Sequence, residues 1–110
     1  MLGKYVREEK ALSLMDALRK MTLAPAQRLE ARVPSMAAKG RVRAGADADV
    51  TIFDPATVID KSTYMDATIP STGIPYVIVH GALVVDSGRV TKARPGQPIR
   101  ASLRATSAQP

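Results

Sequence analysis

The chain of 110 residues has no cysteine and no tryptophan, one phenylalanine and one histidine. Without thiols, disulfide staples, thiolate metal sites and cysteine nucleophiles are excluded. Any chemistry must rest on carboxylates, hydroxyls, amines and His80. No apolar run is long enough to cross a bilayer, and "MLGKYVREEKALSL" lacks the apolar core of a secretory leader ahead of its charges. A soluble, cytoplasmic chain is the expectation. At this length one compact core is affordable and two ordinary domains are not.

What is abundant is positive charge, unevenly placed. Residues 1–43 carry ten Lys/Arg against four acids, residues 44–88 one against six, and residues 89–110 five against none. Two basic flanks thus enclose an acidic middle. Phosphate-gripping surfaces normally add a reading element or stacking aromatics, and here there are three tyrosines, one phenylalanine and no basic cluster denser than "KGRVR". Solvated charged faces are the simpler reading, and nucleic acid is not the expected partner.

The first third reads as helix. In "ALSLMDALRKM", Ser13 suits an N-cap with Asp16 three residues on, and Leu14, Leu18 and Met21 share a face. Arg19 and Lys20 fall in the last turn, where cations complement the helix dipole. "TLAPAQRLEA" starts again: Thr22 can cap, Pro25 is tolerated in a first turn, and Ala26 and Leu29 share a face. Upstream, "LGKYVREEK" predicts one or two further helical turns. "VPSMAAKGRVRAG" reads as loop. The period then changes: "DVTIFD" alternates as a strand that Pro55 ends, and "YVIVHGALVVDSGRVT" gives two β-branched runs joined by His80-Gly81, a pair suited to a tight hairpin. Asp86-Ser87-Gly88 predicts a second turn. Between them "TVIDKSTYMDATIPSTGIP" is irregular. The hairpin is apolar on both faces, which predicts cover on both sides.

Candidate sites reduce to a short set. Asp47, Asp49 and Asp54 in "GADADVTIFDP" have part of a calcium-loop spacing without its central glycine and closing glutamate, so strand-end duty is expected. His80 sits at a hairpin tip, where histidine tolerates positive φ. Ser13, Ser35, Ser62, Ser71 and Ser87 have no G-x-S-x-G elbow, and "GADAD" lacks the spacing of a phosphate loop. Glu8 and Glu9 are adjacent on the helical turns expected here and diverge. A hydrolase built on His80 with a carboxylate such as Asp86 is the remaining catalytic option. The residues themselves assemble no catalytic, cofactor-binding or metal-ligating constellation.

The stretches "LGKYVREEKALSLMDALRKMTLAPAQRL", "KGRVRAGADADVTIFDPATVIDKSTY" and "STGIPYVIVHGALVVDSGRVTKARPGQPIR" together resemble the C-terminal end of the amidohydrolase superfamily, in its N-acyl-D-amino-acid deacylase (D-aminoacylase) branch. The K/R-G-x-[VI]-x-x-G-x-x-A-D-[VL]-x-x-F-D element marks the superfamily; "YVREE", "LRKMT-x-x-PAQRL", "FDPATV" and "GI-x-YV-x-V-x-G-x-LVVD-x-G" in this order mark the branch. The likeness covers about residues 2–100. It implies a parent hydrolase of linear amides whose zinc ligands lie on a barrel, and none of those positions matches this chain. It departs from the pattern at Glu30-Ala31, where the family has Gly-Leu, and at Ala44, where a proline is common.

The reading that results is an α+β chain, with N-terminal helices followed by an antiparallel β-sheet resembling the C-terminal part of the amidohydrolase composite β-sandwich. Residues 1–40 form a helical segment that resembles the last barrel-packing helices, residues 41–100 β-sandwich-type strands, and residues 101–110 a mobile tail. The chain is expected to be a non-catalytic segment with no cofactor of its own. Uncovered apolar helix and sheet surfaces predict collapse of the helices on the sheet, self-association, or docking on a missing barrel domain. The alternative is a small interaction module binding an acidic partner or nucleic acid through its basic flanks, which would weaken steeply with salt.

Overall fold

The computed structural model describes residues 1–101. Its first element, Leu2–Glu8, is π-helical, wider than the expected α turns, with the Glu9 N–H reaching back to the Lys4 carbonyl at 2.8 Å. Gly3 is buried in it because a Cβ there would lie 2.9 Å from the Val58 carbonyl oxygen. Helix α1, Leu14–Met21, starts where the capping pattern places it: the Ser13 hydroxyl accepts from the Asp16 N–H at 3.1 Å and donates to the Asp16 carboxylate at 2.6 Å. Helix α2, Leu23–Glu30, follows at once. Thr22 does not cap it. Its hydroxyl donates instead to the Leu18 carbonyl at 2.8 Å, closing the end of α1. The small side chains Ala17 and Ala26 are the buried ones, so α1 and α2 approach closely. Pro34–Ala38 forms a short 3₁₀ turn where a loop is expected, packed against α2, with proline at its start supplying a preset φ.

The sheet is a four-stranded antiparallel meander, β1 (Val50–Ile52), β2 (Tyr76–Val79), β3 (Ala82–Asp86) and β4 (Arg89–Val90), in that order. Its turns are the expected ones. His80 and Gly81 have φ of 49° and 78°, and Ser87 and Gly88 have 50° and 77°, the positive pair that two-residue hairpins require. A bulge shifts the β2–β3 register: Val77 faces Val85 while Ile78 faces Leu83, leaving Val84 as the extra residue. The long β1–β2 connection is irregular, as expected, and is pinned at its neck by an isolated Ile59–Thr72 bridge. Gly73 makes that neck possible. At φ of 78° it passes so close to Val58 that a Cβ would lie 2.5 Å from its backbone.

Two expectations about packing are corrected. Among the described residues the helices do not collapse on the sheet, for no helix packs against a strand. The β2–β3 hairpin is not covered on both faces either: Tyr76 and Leu83 remain 37% and 38% exposed, as does their β1 neighbour Ile52 at 46%, and one sheet rather than a pair is formed. The core is correspondingly thin, with Ala17, Ala26 and Val58 the buried apolar residues among those described. Periodicity identifies an apolar face; it does not say what lies on it. Of the expected mobile tail, 102–110 lies outside the described residues.

Candidate functional site

Where the helical part meets the sheet, polar groups make the joint. Lys39, just beyond the 3₁₀ turn, places its Nζ 2.8 Å from Asp47 Oδ2 and 2.5 Å from Asp49 Oδ2. The other oxygen of Asp49 accepts from the His80 N–H at 2.8 Å, and the Gly81 N–H donates to the Ala48 carbonyl at 3.0 Å. One lysine thereby ties the end of the helical segment to the start of β1, and Asp49 passes the tie to the tip of the β2–β3 hairpin. The hydrogen bond from Lys39, followed by that from the His80 backbone, holds the Asp49 carboxyl below its ordinary range. Hydrogen bonds to Asp47 and Asp49 raise the Lys39 ammonium.

Two more joints flank this one. Arg7 donates through Nη1 to the Pro55 carbonyl at 3.1 Å and the Val58 carbonyl at 2.8 Å, fastening the N-terminal turn to the loop after β1. Arg41 pairs with Glu30 at 2.7 Å and donates to the Lys39 carbonyl at 2.9 Å. Glu30 is one of the two departures from the family pattern, so the altered helix exit provides the partner of Arg41. The other, Ala44, sits in a turn that still closes through the Ala46 N–H and the Arg43 carbonyl at 3.1 Å.

The aspartates thus do structural work at three different places. Asp54 caps the turn after β1, accepting from the Ala56 N–H and the Thr57 hydroxyl at 2.9 Å each, contacts that lower its pKa. It takes no part in the Lys39 joint. Asp86 accepts from the Ser87 hydroxyl and stands at the far end of β3 from His80, about 13 Å away at the rise of an antiparallel strand. The two cannot form a catalytic pair. Glu8 and Glu9 pair separately with Arg7 and Lys4. Among the described residues no three His, Cys, Asp or Glu side chains converge as metal ligands. The Asp47–Asp49 pair is occupied by an internal cation, the Lys39 ammonium.

Between the joints lies the feature that sequence reasoning did not locate. A cleft of about 430 Å³ opens between α1 and β1, walled mainly by Leu2, Leu18, Met21, Phe53, Val58 and Ile74. Its volume is in the range of ligand and anchor pockets. A second, more polar hollow of about 420 Å³ lies on the other side of Asp49 and includes Lys39, His80 and Gln97. The sequence signals for the cleft were the helical stripe and the strand alternation; the space between them depends on the Lys39, Arg7 and Arg41 joints, whose partners lie up to 51 residues away.

A model of the Amidohydrolase family matches residues 1–85. N-acyl-D-glutamate deacylase of Alcaligenes xylosoxydans xylosoxydans is 42% identical over 99 residues, a match covering 90% of this chain and 19% of that protein. The crystal structure of D-aminoacylase superposes with a TM-score of 0.74 at 36% identity, over 84% of this chain and 18% of that one. N-acyl-D-glutamate deacylase from Bordetella bronchiseptica, solved with zinc and a phosphonate inhibitor, gives 0.74 at 40% identity, over 91% and 20%. The chain spans about a fifth of the length of these relatives. With the family model matched over most of its residues and a fold superposing on part of D-aminoacylase, the chain belongs to the amidohydrolase family.

Proposed function

We propose that this chain is a scaffold segment of an N-acyl-D-amino-acid deacylase, an enzyme hydrolysing the amide C–N bond between an acyl group and a D-amino acid. In this reading it supplies packing surface to a metal-bearing barrel and no reacting group of its own. The observation that carries the reading is the unfilled apolar surface. A cleft lined by Leu18, Met21 and Phe53, and a sheet face exposing Ile52, Tyr76 and Leu83, are features of a part that continues into a larger core. The identity of 42% to a deacylase over nearly the whole chain supports the choice of parent.

The zinc of the Bordetella relative does not fit the residues present here. His80 is the one histidine of the chain, Asp47 and Asp49 are already paired to Lys39, and among the described residues no three His, Cys, Asp or Glu side chains come together to hold a metal. No catalytic step is therefore assigned to these side chains. Their role is positional: Lys39, Arg7 and Arg41 fix the angle at which the helices and the sheet meet, and with it the shape offered to a partner domain.

A chimera tests this directly. Residues 1–101 replace the matching segment of N-acyl-D-glutamate deacylase, and hydrolysis of an N-acyl-D-glutamate is followed with zinc content. The chimera is expected to bind zinc and turn over, whereas residues 1–110 alone show neither. A chimera that folds and loads zinc without activity would overturn the parent assignment, and turnover by the isolated chain would overturn the scaffold role.

A further inference from the structure

Residues 67–85 contain no aspartate, glutamate, lysine or arginine, the longest such run of the chain. Within it Tyr76–Val85 also lacks proline; it comprises β2, the His80-Gly81 turn and most of β3, and β-branched and aliphatic side chains dominate it. Charge is what keeps many apolar strands from pairing with their own copies, because identical segments set like charges opposite each other. Nothing inside Tyr76–Val85 opposes such pairing. Stacked on itself, the segment repeats Val, Ile and Leu against the same side chains, the composition from which dry cross-β interfaces are built.

In the folded chain β2 and β3 are the inner strands, and their guards are short. β1 covers β2 with three residues, and β4 covers β3 with two. Past its ladder β4 is held by Thr91, whose N–H donates to the Val84 carbonyl and whose hydroxyl donates to the Leu83 carbonyl, at 2.9 Å each. Val90 is 76% exposed and, among the described residues, no helix packs on the sheet, so little apolar burial retains β4. When β4 leaves, β3 bares an edge that is uncharged from Ala82 to Val85. We propose that free copies of this chain associate through Tyr76–Val85, the bared β3 edge of one copy pairing with the same segment of the next, so that the stack grows as cross-β. Pro75 on one side, and Asp86 with Arg89 on the other, bound the ordered core. The proposal concerns the chain as a separate polypeptide and is independent of the deacylase reading.

Thioflavin fluorescence on the full chain at neutral pH, without denaturant, reads the assembly; fibre diffraction and amide exchange read its product. The expected result is a lag that shortens with chain concentration and with seeds of a peptide spanning residues 76–85. The product gives a reflection at about 4.8 Å and amide protection confined to that segment. Leu83→Lys puts a charge inside the segment at a side chain already 38% exposed, and lengthens the lag by about tenfold or more while the native circular dichroism is kept. Tyr76→Lys, at 37% exposure on the neighbouring strand, reads the same effect should L83K lose the native spectrum. Thr91→Pro deletes both bonds that hold β4 and shortens the lag. A wild type that stays monomeric overturns the proposal. So does a protected core outside residues 76–85, or a lag indifferent to the added charge or to T91P.

Discussion

The helical part and the sheet of this chain reach their shapes by different routes. Residues 13–30 are organised by near neighbours: a serine cap three residues from its partner, a threonine closing the turn before it, and alanines small enough to bring α1 and α2 together. The sheet is organised by conformations that few residues tolerate, with positive φ at His80, Gly81, Ser87 and Gly88 setting every register after β2. What separates the two is how each responds to a single change. Helical parts lose stability in small steps, because caps and side chains contribute individually. The sheet depends on a few backbone positions whose replacement changes pairing as a whole.

The largest expected effect lies in the connection that joins β1 to β2, at another glycine with positive φ. Gly73→Ala puts a Cβ 2.5 Å from Val58 N and Cα at a residue with φ of 78°, and nothing there is a flexible side-chain end that could swing away. A loss of about 2–4 kcal/mol is expected, read as a fall in the urea midpoint together with loss of amide protection at Ile59 and Thr72. Unchanged protection at those two amides would mean that the neck is not rigid. In the helical part Ser13→Ala should cost about 1 kcal/mol, with the change confined to α1 amides and no shift at His80 or Val85. If the sheet amides respond equally, the two parts are one cooperative unit and the contrast drawn above fails.

The Lys39 joint gives the smallest effect and the one with a defined pH window. Asp49 has a folded pKa below its ordinary 3.8, so its contribution is present above that value and is lost as pH falls through the folded value. Lys39 lies above its ordinary 10.5, so its contribution is complete below 10.5 and is lost as pH rises through the folded value. Both side chains are partly exposed, at 22% for Lys39 and 35% for Asp49, which limits the joint to about 0.5–1 kcal/mol. Lys39→Met should remove that amount at neutral pH. It should also remove the alkaline loss, measured as urea midpoints across the pH range.

The unequal legibility of the two parts has the same origin. Ser13, His80-Gly81 and Ser87-Gly88 act within a few residues of themselves, so a pattern of neighbours reveals them. The exchange at Thr22, where a hydroxyl that could cap α2 closes α1, turns on a choice between two nearby backbone partners that propensity does not rank. The π-helical start and the 3₁₀ turn depend on close approach at Gly3 and on the register of Lys39 against Asp49. Arg7 finds its carbonyls about fifty residues away, beyond any local signal. The strands and the caps of the candidate site were therefore readable, but the cleft between them was not. The resemblance to the deacylases was readable for a different reason: it rests on residue order, which survives where periodicity is ambiguous.

That reach of Arg7 also sets an order in time. Its two acceptors, the carbonyls of Pro55 and Val58, lie 48 and 51 residues along the chain. On a ribosome, the segment Leu2–Glu8 emerges before the turn after β1, and Arg7 must wait for that turn before it has these carbonyls to hold. Closing so long a loop is entropically slow compared with winding α1 or forming the His80-Gly81 hairpin. Leu2–Glu8 thus settles later than elements made after it, and in the interval Tyr5 and Val6 are open to any chaperone or protease within reach.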